Sequence, residues 1–68
     1  MGLYYVYCKD KTPEASIAEM ETLGGRRGTI VEGCKTPAVT IIIPFTVSFL
    51  NIMRAGYSPS LIGYVTHP

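Results

Sequence analysis

No charged side chain interrupts the eighteen residues from Thr36 to Met53, a stretch dominated by AVTIIIPFTVSFLNIM. Such a run has two physical uses: a bilayer span, or a strand and a helix hidden inside a small water-soluble fold. As one unbroken helix it reaches about 27 Å, just short of the roughly 30 Å hydrocarbon core. Lys35 and Arg54 flank it in positions suited to snorkelling, and the basic residues before it would favour an inside N-terminus. Against a span stand Pro44 at its middle and the polar residues Thr36, Thr40, Thr46, Ser48 and Asn51. The soluble reading is preferred, and a single-pass membrane subunit spanning Thr36–Met53 is the competing one.

Side-chain branching divides the run at Pro44. Val39 to Ile43 are five β-branched residues, whose χ1 freedom is lost against a helical turn, so they favour a strand. Past Pro44, Thr46 is placed to cap a helix, with Phe45 packing on Leu50 as a hydrophobic staple. Ser48, Asn51 and Arg54 recur every third residue as a polar stripe. Arg54 falls in the last turn, Gly56 at the cap and Pro59 beyond it, which predicts a helix over Val47–Ala55.

The remainder alternates in the same way. Leu3–Lys9, LYYVYCK, is aromatic and β-branched and reads as a strand. Thr12-Pro13-Glu14 opens a helix running to Leu23, with Gly24 as its left-handed cap. Ile17, Met20 and Leu23 form its apolar stripe, and Glu14, Glu19 and Glu21 its wet face. Arg27–Gly33 has the charged ends of an edge strand, Gly33–Thr36 a turn, and Leu61–Thr66 a closing strand in which Gly63 marks a weak point or a bulge.

The order β-α-β-β-α-β predicts a single α+β domain over residues 1–68: a four-stranded antiparallel sheet with two helices on one face. This element order resembles the ferredoxin-like split βαβ arrangement, in which the first and third strands are central. Those are the two most apolar strands in this chain, and the charged and glycine-containing strands fall at the edges.

Sixty-eight residues bury only about 60% of the surface their unfolded chain exposes, so self-association is expected to assist the fold. The net charge of +1 argues against broad attraction to nucleic acid or to anionic membranes. All five acids and five of the six bases precede Thr36, leaving Arg54 as the sole formal charge afterwards. A C-terminal half so poor in charge is expected to lie against a partner. The short apolar start has no basic leader or cleavage site, and Val6 breaks a myristoylation motif, so a cytoplasmic, intracellular protein is expected.

Candidate sites are few. Gly25, Arg26, Arg27 and Gly28 form the one local motif with a ligand reading, two guanidiniums beside glycines able to clamp a small anion. The plain alternative is a helix cap followed by a solvated basic pair, and the stretch follows a helix, unlike dinucleotide or phosphate-loop fingerprints. Alternation puts Tyr4, Val6 and Cys8 on one side of the first strand and Tyr5, Tyr7 and Lys9 on the other. Tyr5, Tyr7, Thr40, Ile42 and Tyr64 are the candidate interface residues of an open sheet face. A nucleic-acid-binding sheet face is a further alternative, weakened because the third strand lacks aromatic and basic residues.

No cofactor, metal site or catalytic residue is expected. Cys8 reads as a buried small hydrophobe and Cys34 as a turn thiol; a bridge between them is conceivable but is the less favoured account. His67 beside Pro68 is a poor base, and the glutamates make no acid–base pair. The sequence therefore predicts a small, non-enzymatic, self-associating binding module. Its partners are a second copy and another protein on which it acts as regulator or inhibitor, or a small anionic ligand bound at a subunit interface.

Overall fold

A computed structural model describes residues 1–32 and 36–65. Six elements follow in order: β1 (Gly2–Tyr7), α1 (Pro13–Thr22), β2 (Arg26–Val31), β3 (Ala38–Ile43), α2 (Thr46–Arg54) and β4 (Ser60–Tyr64). The four strands make one antiparallel sheet in the order β2-β3-β1-β4, so the two apolar strands are central. The chain is thus a small α+β domain with a four-stranded antiparallel sheet and two helices. The preferred division of the charge-free run holds, with β3 and α2 on either side of Pro44, and the competing reading of Thr36–Met53 as one continuous helical span is corrected. Among the described residues no helix is long and apolar enough to cross a membrane.

One side of the sheet carries the core. Val6, Cys8, Val39, Ile41 and Ile43 of the central strands meet Met20 of α1, Ile52 of α2 and Tyr57, all buried. Ile17, Leu23, Tyr4 and Phe49 pack around them. Cys8 is therefore a buried free thiol. Most of the turn expected at Gly33–Thr36, with Cys34, and the terminus with His67 lie outside the described residues.

The helices begin differently and end alike. Thr12 caps α1, its Oγ1 accepting the Ala15 N–H at 3.3 Å, and Pro13 starts the first turn where its missing N–H costs nothing. At α2 the cap position falls on Phe45, not Thr46, and no side chain accepts an amide there. Both helices close on a glycine of positive φ, Gly24 at 110° and Gly56 at 96°. Gly25 N–H donates to Met20 O and Gly24 N–H to Glu21 O. Tyr57 N–H donates to Ile52 O and Gly56 N–H to Met53 O, the same paired motif.

What separates the helices is which face each turns inward. In α1 the Ile17–Met20–Leu23 stripe packs on the core as its spacing predicts. In α2 the buried positions are Ser48 and Ile52, with Phe49 and Ala55 beside them. A Cβ added to Gly24 would lie 2.3 Å from Ser48 Oγ, so the first turn of α2 rests on the glycine turn that ends α1. Only a small side chain fits that crossing. The expected wet stripe therefore starts with a buried residue, and Val47, Leu50 and Met53 stand outward instead, 67%, 46% and 48% exposed. The expected Phe45–Leu50 staple is corrected, because Phe45 is itself the cap residue and not the residue before it.

Candidate functional site

Among the described residues no helix lies over the sheet's second side, and the ladder defines its surface. Across β1 and β3, Tyr7 pairs with Ala38, Tyr5 with Thr40 and Leu3 with Ile42. β2 extends the surface with Val31 opposite Ala38, Thr29 opposite Thr40 and Arg26 opposite Ile42. The Tyr5 and Tyr7 rings meet edge to face at 4.9 Å, an arrangement suited to the ring quadrupoles. Ala38 is fully buried and Ile42 only 8% exposed, while Tyr7 stands 55% exposed. The tyrosines and their neighbours thus shield the small central positions. What they present is aromatic, with the threonines Thr29 and Thr40 beside the rings and Arg26 the one charge among these paired residues.

Four of the five candidate interface residues, Tyr5, Tyr7, Thr40 and Ile42, share this face. Tyr64 does not. The β1–β4 register runs Tyr5 to Ser60 and Tyr4 to Leu61, then skips Ile62 and resumes with Leu3 to Gly63 and Gly2 to Tyr64. A skipped residue reverses the side to which everything beyond it points. Tyr64 consequently stands on the helix side, 82% exposed, where it lines a cleft of about 300 Å³ with Tyr4, Ile43, Phe45 and Phe49. The Tyr4 and Phe49 rings are 5.3 Å apart in its wall. Gly63 hinted at the bulge; the position of the skip was not readable.

The glycine–arginine motif is spread over several tasks. A Cβ on Gly25 would meet Ile41 at 2.5 Å, and one on Gly28 would meet Ile17 at 2.5 Å, so both glycines permit α1 and the core to approach β2. Arg26 and Arg27 are exposed. Arg27 has φ 55°, left-handed for a residue with a Cβ, at the point where the β2–β3 register shifts between Arg26 and Thr29.

A polar cluster at the opposite end of the helix layer was not foreseen. Lys11 Nζ pairs with Glu19 Oε2 at 2.7 Å. Lys9 Nζ sits 4.3 Å over the Tyr57 ring and donates to Ala55 O, where a cation suits the end of α2. Glu19 is half-buried and does not simply face water as expected. Its Oε1 is buried with the Tyr57 hydroxyl and Ser16 Oγ, none of them in a hydrogen bond of ordinary geometry. The hydrogen bond from Lys11, and then the Tyr57 hydroxyl, hold the Glu19 carboxyl below the usual glutamate value. Burial first, and then Glu19, push the Tyr57 phenol up. The hydrogen bond to Glu19 raises Lys11.

Among the described residues no group of three His, Cys, Asp or Glu side chains is placed to hold a metal ion. No protein-family model matches the chain, and neither a curated protein nor a solved structure matches it.

Proposed function

We infer that this chain is a small, non-catalytic, self-associating binding module with the ferredoxin-like split βαβ arrangement, which works by docking on another protein. The strand order, with the first and third strands central, supports the arrangement. One observation carries the functional reading: uncovered apolar surface lies on both layers of the domain. Tyr5 and Tyr7 head the sheet side, and Val47, Leu50 and Met53 line the helix side. Surfaces rich in aromatic residues and methionine and poor in charge match the centres of protein interfaces. A domain of this size also has reason to bury more apolar area than its own core supplies.

Light scattering on the chain eluting from a sizing column without detergent tests self-association. A mass above that of the 7.4 kDa chain is expected at micromolar concentration. A monomer over the whole accessible range overturns the self-association reading.

A further inference from the structure

Self-association, on the reading just given, has two uncovered surfaces available to it. We propose that two copies pair through the outer face of α2 and the aromatic cleft beside it, leaving the Tyr5–Tyr7 sheet face free for a different protein. Three features favour a second copy as the occupant.

The first is shape. Phe45, Val47, Leu50 and Met53 stand along the outside of α2 as a ridge, and Phe45 also lines the cleft together with Tyr64. Ridge and groove lie side by side on one surface. A two-fold axis sets the same patch against itself, so a patch carrying both halves of a fit can place each ridge in its partner's groove.

The second is charge. From Thr36 to Met53 there is none, so the α2 ridge can meet its partner without stripping water from a charged side chain. Arg54 lies at one end of the ridge, where it stays in solvent at the rim.

The third is area. Phe45, Val47, Leu50, Met53, Tyr64 and Met1 are between 44% and 82% exposed. Scaled to the 150–250 Å² of a whole aromatic side chain, and less for the others, they offer on the order of 600 Å² per copy. Complete burial of these side chains in two copies would remove at most about 1,200 Å² in total, the lower edge of the range for specific complexes, and a patch of that size is at the upper limit for a protein that stays alone. A reversible dimer of micromolar affinity is the matching expectation.

Sedimentation equilibrium of the full chain, from about 1 to 500 μM without detergent, brackets such an affinity. Leu50→Glu and, separately, Val47→Arg should each weaken the dimer about a hundredfold, the size expected for charging the centre of an interface. Tyr7→Ser should leave it within about threefold, as expected for a residue outside the contact. All three positions are exposed, and circular dichroism checks that each variant keeps its fold. A dimer weakened by Tyr7→Ser but not by Leu50→Glu or Val47→Arg overturns the α2 assignment while self-association stands. A wild-type chain that is monomeric throughout overturns both.

Discussion

The two helices of this domain carry the same kind of ending but differ in how much apolar surface they leave outside. α1 follows its own periodicity in part: Ile17, Met20 and Leu23 turn to the core and Thr12 supplies the cap, while Ser16 is buried and Glu19 half-buried beside them. α2 has a polar stripe at equally regular spacing, yet Ser48 from that stripe is buried and Val47, Leu50 and Met53 are turned out. A helix answers to whatever it is pressed against. α1 meets the flank of β2 and β3, with Ile17 seated against Gly28, whereas the first turn of α2 meets the backbone of Gly24, against which Ser48 packs closely. Regular spacing identifies the faces of a helix, and the neighbour decides which of them is inside.

The largest test of this contrast compares two residues of α2 only two positions apart. Ile52→Ala removes a fully buried side chain from the core and should cost about 3–4 kcal/mol, enough to unfold much of a domain this small. Leu50→Ala should cost well under about 1 kcal/mol in the monomer, because it deletes a half-exposed side chain. Urea unfolding of both variants at low concentration decides the matter. Equal losses would mean that α2 is rotated from the orientation described.

A smaller effect separates the two glycine caps. Gly24→Ala strains a positive φ and also drives a methyl into Ser48, so it should cost about 2–3 kcal/mol. Gly56→Ala meets only the end of the Lys9 side chain, which can swing away, leaving the backbone term of about 1 kcal/mol. Thermal midpoints would show the order, and adding Ser48→Gly should recover part of the loss at Gly24 but none at Gly56. If Gly24→Ala and Gly56→Ala cost the same, the close crossing of α2 over the α1 turn is not the constraint proposed for it.

The smallest effect belongs to the polar cluster that joins the ends of the two helices. Glu19 titrates below its ordinary value of 4.5 in the folded chain, so it adds stability above that pH, and the contribution is lost as pH falls through the lowered folded value. Lys11 and Tyr57 are shifted upward, so their contributions are present below about pH 10 and disappear as pH rises beyond it. Denaturant midpoints measured against pH should therefore sag on both sides of a level middle. Glu19→Gln should flatten the acid limb, and an unchanged limb in that variant would assign the acid loss elsewhere.

Much of the architecture was legible because it depends on local chemistry. The Thr12 cap, Pro13 in the first turn, Gly24 and Gly56, and the break at Pro44 each act within a few residues. The apolar character of Leu3–Tyr7 and Ala38–Ile43 likewise marked them as central strands. Of the interface candidates, Tyr5, Tyr7, Thr40 and Ile42 were grouped correctly on one side, because alternation holds along an uninterrupted strand. Tyr64 was not, because the skip at Ile62 depends on how β4 meets β1. The cluster of Lys9, Lys11, Glu19 and Tyr57 was invisible for a related reason: its members are up to dozens of residues apart and carry no spacing rule.

By itself, then, the sequence determined the elements, their order and the sheet's centre and edges, since branching, proline and glycine act on their own backbone. Tertiary structure alone decided which side of α2 and of β4 meets the solvent. Those choices belong to contacts between distant segments, Ser48 against Gly24 and Gly63 against Leu3, and no local preference of either partner specifies them. They also turned the charge-free stretch from Thr36 to Met53 from a candidate membrane span into a buried central strand followed by a helix with an exposed apolar ridge.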